Sequence, residues 1–141
     1  MTPEQNKAIV RRFVEEGINN VNLAVFDELV AAEVDFDAPP GLPRSREGWK
    51  QNRLLLQGGF PDAHWQEECL IAEGDVVVWR GVMRATHTGE FLGIPATGKT
   101  IAITATSVLK VSGGRIIWQR MNSDDLGLMT QIGVVSLPTP N

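Results

Sequence analysis

The spacing of apolar residues along this chain changes twice, and each change marks a change of secondary structure. Ile9, Val10, Phe13, Val14 and Ile18 recur three or four positions apart, which predicts one buried stripe on a first helix. Thr2-Pro3-Glu4-Gln5 supplies its start: Thr2 as cap, Pro3 at the first helical position, and Gln5 able to reach back as a capping-box partner. Gly17 and the pair Asn19-Asn20 end it. Asn22 opens a second helix, NLAVFDELVA, with Leu23, Phe26, Leu29 and Val30 on one face. Ser45 caps a third, REGWKQNRLLLQGG, closed by Gly58-Gly59, in which Trp49, Asn52, Leu55 and Leu56 fall on one stripe. Between the second and third helices Glu33 to Ala38 alternates, Val34 and Phe36 against Asp35 and Asp37. It reads as a short strand before the Pro39-Pro40-Gly41 turn.

From Ala63 the period is two. His64 to Ala72, Val76 to Thr86, Thr100 to Val111 and Arg115 to Asn122 read as four strands. They are joined at Glu73-Gly74-Asp75, by the loop Gly89 to Gly98, and at Ser112-Gly113-Gly114, each short enough for antiparallel neighbours. At Ser123 the period lengthens again. Leu126, Leu128, Met129 and Ile132 predict a short last helix with Ser123 or Asp124 as N-cap. This order predicts an α+β fold, with three N-terminal helices packed on a strongly curved, mostly antiparallel sheet. The length of 141 residues allows one domain, expected over residues 1–135, with SLPTPN at 136–141 as a disordered or partner-bound tail.

Several polar residues interrupt these patterns. Asp124 sits where the last strand meets the helix, among apolar neighbours, so it is either an N-cap worth about 1 kcal/mol or a carboxylate available for acid/base work. On that strand Ile116, Trp118, Arg120 and Asn122 share one face, and Ile117, Gln119 and Met121 the other. Asp35 and Asp37 share a face that is either wet or part of a site. The Asn52 amide lies among apolar side chains and needs a partner. That partner is a backbone group in the core or a substrate oxygen on a pocket wall that also includes Trp49. Val76, Val78, Arg80, Val82 and Arg84 lie opposite Val77, Trp79, Gly81 and Met83, so Arg80 either enters the cavity or belongs to a solvated stripe. His87 is placed to tie the Gly/Pro-rich loop Gly89 to Gly98 to itself, or to touch a substrate. Phe91, Leu92 and Ile94 cover the pocket mouth or pack on another subunit.

Composition removes several alternatives. A net charge of −4, with no basic cluster denser than Arg11-Arg12, argues against nucleic acid and against an anionic membrane surface. No apolar run approaches the length of a membrane span, and MTPEQNKAIVRRF lacks the apolar core of a secretory signal, so the expectation is cytoplasmic. The single cysteine, Cys69, cannot form an internal disulfide, and its place in the apolar half of a strand predicts a buried inert thiol. With only His64 and His87 beside it there is no zinc pattern. Tyrosine is absent, which excludes a phenol acid.

Two blocks carry a resemblance. AEGDVVVWRGVMRATHTGEFLGIPATGKTI, Ala72 to Ile101, and GGRIIWQRMNSDDLGLMTQIG, Gly113 to Gly133, together with Phe60-Pro61-Asp62, resemble the SnoaL-like polyketide cyclase family over nearly the whole chain. The resemblance implies a ketosteroid-isomerase-like cone, a homodimer, a hydrophobic small-molecule substrate, and neither cofactor nor metal. It also implies Asp124 as the general acid/base of an intramolecular aldol ring closure. Where the family often has His this chain has Asp37, and a frequent Trp and Asp of the family are replaced by Arg120 and Ser107. The residues fit such chemistry on their own terms: proton abstraction beside a carbonyl needs one carboxylate in a dry cavity and a donor to the developing enolate, here Arg120, Arg80 or Asn52. Two other readings stand beside it. One is epoxide opening or hydration with Asp37, Asp124 and an arginine around a water; the other is a non-catalytic binding protein on the same fold.

Overall fold

The N-terminal capping box forms, with Gln5 N donating to Thr2 Oγ1 at 3.1 Å and Thr2 N donating to Gln5 Oε1 at 2.9 Å. From it the computed structural model, which describes residues 1–140, runs through α1 (Pro3–Arg12) and a π-helical turn (Phe13–Asn19). Then follow α2 (Leu23–Leu29), β1 (Val30–Asp35), α3 (Arg46–Gly59), β2 (His64–Glu73), β3 (Val76–Thr86), β4 (Thr100–Ser112), β5 (Arg115–Ser123) and α4 (Asp125–Gln131). The predicted α+β order stands. No helix among the described residues is long and apolar enough to cross a membrane. Ser136 to Pro140, most of the expected tail, are exposed without regular structure; Asn141 lies outside the described residues.

The five strands form one sheet in the order β1-β5-β4-β3-β2. The neighbours are antiparallel except β1, which pairs in parallel with β5. Strand β1 starts three residues earlier than Glu33, because α2 stops at Leu29 and β-branched Val30 is already extended and paired with Ile116. The alternation persists past its end: Val34 and Phe36 are buried, Asp35 is half-buried and Asp37 exposed.

Two bulges alter which side chains share a face. In β5 the register slips between Ile116, opposite Val111, and Trp118, opposite Lys110. Ile116 therefore faces inward with Gln119 and Met121, while Trp118, Arg120 and Asn122 face outward, a correction to the simple alternation. In β2 the slip lies between Glu67 and Cys69. It contributes to a second correction: Cys69 is exposed, not buried.

The inner face of the sheet carries two apolar clusters. One joins Val10, Phe13, Phe26, Phe36 and Trp49 to Val77, Trp79, Leu109, Val111 and Ile116. The other joins Phe60, Ala63, Leu128 and Ile132 to Met83, Ala85, Ile101 and Ile103. Helix α3, which packs on α2 and β1, spans both, since Trp49 belongs to the first and Leu56 packs on the second.

Candidate functional site

Between the two clusters the inner face is made of small or polar residues. Gly81 pairs with Ala105, Ala105 with Ser123, and Ser107 with Met121 and Trp79 across the strands. Ala105, Ser107 and Gln119 are 2%, 9% and 5% exposed. Trp65 packs against both clusters and meets Trp79 edge to face at 5.9 Å. The Trp79 ring lies across Gly81, where any Cβ would collide with it. It fills part of the gap. On α3, Asn52 is half-buried and without a hydrogen bond to another described residue, and Arg53 beside it is buried.

Gln119 ties the gap to the segment after β1. Its Oε1 accepts from the Asp37 amide at 3.0 Å, and Asp37 Oδ2 accepts from the Met121 amide at 3.3 Å. Asp37 is thus an exposed side-chain cap on the end of the β1–β5 pairing. Met121 precedes Asp124 by three residues, about 10 Å of extended chain.

Asp124 closes β5. Its amide donates to Thr104 O at 3.0 Å and its Oδ1 accepts from Gly127 N at 2.8 Å, which makes it the N-cap of α4. The carboxylate sits directly above Gly127, and a Cβ there would overlap it. Asp125 is separate, receiving Ser123 Oγ at 2.6 Å. The enclosed chamber expected around Asp124 is absent: its side chain is exposed, with one oxygen committed to the helix.

The arginines are placed elsewhere. The bulge in β5 turns Arg120 to the outer face, where its guanidinium reaches Asp35 Oδ2 at 3.1 Å, Asp35 O at 2.9 Å and Gln119 O at 2.8 Å and lies 4.6 Å from the Trp118 ring centroid. Arg120, assisted by Arg44, holds the Asp35 carboxyl below the usual carboxylate range. Arg80 is on the same outer face, with Thr106 Oγ1 at 3.0 Å and Glu68 at 3.4 Å. Neither can donate to an enolate in the inner gap, which corrects both assignments and leaves Asn52 from that set. Trp49 stacks on Phe36 with centroids 5.3 Å apart and is 7% exposed, a core residue before anything else.

His87 is fully buried, stacked on Phe60 at 5.1 Å. Its Nδ1 accepts from Thr97 N at 3.3 Å and lies 2.9 Å from Thr97 Oγ1, so it closes the loop upon itself as one of its two readings held. Its Nε2 is buried and has no hydrogen-bond partner among the described residues. Phe91 packs on Phe60, while Leu92 is 71% exposed at the tip.

Two polar residues of the gap were not singled out from sequence as site candidates, Gln119 and Arg53. Gln119 left no such signal, because simple alternation sets it opposite Ile116 and only the bulge in β5 turns it inward. Arg53 was visible as the residue four beyond Trp49, a spacing that stacks two side chains on one helix face. An open groove of about 640 Å³ lies apart from all of these, bordered by Asp62, His64, Arg84, Thr86, Thr100 and Gln131. It contains none of the residues expected to act.

The chain matches the model of the SnoaL-like polyketide cyclase family over residues 8–132. No curated protein matches it. Among solved structures it is similar to IdmH from Streptomyces antibioticus, a candidate polyketide cyclase, at 33% identity and a TM-score of 0.81, covering 92% of this chain and 99% of that one. TsrD from Streptomyces laurentii superposes with a TM-score of 0.86 at 21% identity, covering 96% and 99% of the two chains. A candidate SnoaL-like polyketide cyclase from Jannaschia sp. does so with a TM-score of 0.86 at 24% identity, covering 96% and 98%. The last two bear on the fold alone.

Proposed function

Since the chain belongs to the SnoaL-like polyketide cyclase family, we propose that it is a cofactor-independent enzyme that cyclises or isomerises a hydrophobic carbonyl compound, with Asp124 as general acid/base. The observation that carries this is the carboxylate fixed at the end of β5, one oxygen on Gly127 N and the whole group seated where only glycine leaves room. A base oriented in this way loses little freedom when a substrate arrives.

The substrate body lies against Met121, Ala105 and Trp65 in the gap between the clusters. Asp124 takes a proton from the carbon beside a carbonyl, and the electron pair moves onto the carbonyl oxygen. The Asn52 amide is the donor for that oxygen. In a cyclisation the carbanion carbon then attacks a second carbonyl of the same molecule, and Asp124 returns its proton to the new alkoxide. Because Asp124 is exposed, the substrate itself completes the dry wall that the sheet supplies on one side.

The hydrolytic alternative is less well supported, because Arg120 is engaged with Asp35. Isotopes separate the two. With 2-tetralone in D2O the protein should speed deuterium entry at the carbon beside the carbonyl. If it instead converts styrene oxide to a diol carrying oxygen from labelled water and leaves 2-tetralone untouched, the reaction is hydrolysis.

The outer face supports a homodimer. Val78, Val82, Val108 and Trp118 are half-buried there with no helix over them, and a second sheet packed face to face would cover them.

A further inference from the structure

Arg53 is only 4% exposed, yet its bonding is incomplete. Its Nε donates to Ile18 O, near the end of the π-helical turn, at 2.8 Å, and Nη1 is buried with no hydrogen-bond partner among the described residues. No acidic side chain among the described residues offsets its charge, and burial alone pulls its pKa below the ordinary guanidinium value. An ion taken out of water without a counterion is costly. The partial negative charge at the helix end compensates in part.

The surroundings say what would complete it. With Nε committed, the end-on Nη1–Nη2 edge remains, which matches the two parallel oxygens of a carboxylate. Asn19, next to Ile18, exchanges two hydrogen bonds with the Trp65 backbone, at 2.9 and 2.8 Å, so this corner is fastened to the tryptophan that borders both apolar clusters. We propose that Arg53 anchors the carboxylate of an acidic, largely apolar ligand whose ring system lies against Trp65 in the gap under α3. This deepens the proposed function by narrowing its substrate class to carboxylic acids, and it rests on the reading that the gap admits a hydrophobic compound.

Calorimetric titration of 2-naphthoate and its neutral methyl ester into wild type, Arg53→Gln and Arg53→Lys tests it. Wild type should bind the acid at least tenfold tighter than the ester. Arg53→Gln should bind both equally with its ester affinity within about threefold of wild type, and Arg53→Lys should keep part of the preference. If wild type binds acid and ester alike, or if the preference survives in Arg53→Gln, Arg53 is a clamp on the Ile18 carbonyl and the inference fails while the apolar gap stands. If wild type binds neither probe, the gap does not admit such compounds and both readings fall. The wild-type comparison decides the matter even if Arg53→Gln does not fold.

Discussion

At Gly127 the lack of a side chain decides how the neighbouring carboxylate is seated. A glycine in the first turn of a helix normally costs about 0.5–1 kcal/mol relative to alanine. Here a Cβ would overlap the Asp124 carboxylate. Gly127→Ala should therefore lower thermal stability, because the lost cap, worth about 1 kcal/mol, outweighs the gain in helix propensity. A rise in melting temperature would mean that the carboxylate does not rest on Gly127. At this scale the sequence was partly legible: Asp124 as an N-cap and His87 as the loop's tether follow from spacing and turn chemistry alone. Arg53 was not read as buried, because a charged residue on a helix is ordinarily solvated and only tertiary packing shows that this one is not.

At the scale of elements, periodicity located every strand, but it could not show bulges, since a bulge is a property of two paired strands. One extra residue in β5 sends Arg120 and Trp118 to the outer face, and with them went the expectation of an inward arginine. The capping residues of α1, α2, α3 and α4 were all legible, because Thr2, Asn22, Ser45 and Asp124 each bond a backbone amide two or three residues on. The π-helical turn left no sequence signal. The junction before β2 carries its own test. Asp62 accepts from Thr86 N at 2.7 Å and from Thr86 Oγ1 at 2.8 Å, fastening the start of β2 to the end of β3, and these bonds, the amide's first, lower its pKa. A carboxyl depressed in the folded state adds stability above its unfolded pKa, near 4, and loses it as pH falls through the lower folded value. Wild type should thus unfold at a higher temperature than Asp62→Ala at pH 7, and the gap should close on acidification below about pH 4. A gap that widens in acid would contradict the assignment.

For the molecule as a whole, the two faces of one sheet divide the work. The inner face holds the two clusters and the gap between them; the outer face holds Arg80, Arg120 and a half-buried apolar stripe. Fold class was readable from the order of periods, and the family from two blocks of sequence, whereas the degree of enclosure depends on how far Trp79 fills the gap and could not be read from either. If the outer stripe meets a second copy, Val82→Glu should convert a dimer to a monomer in light scattering without unfolding it; a variant that remains dimeric would place the interface elsewhere. The proposed reaction depends on Asp124 moving the proton. The rate at which 2-tetralone exchanges its hydrogen for deuterium should fall at least about 100-fold, the range for loss of a general base, in a folded Asp124→Asn protein relative to wild type, and rates equal within twofold would contradict the account.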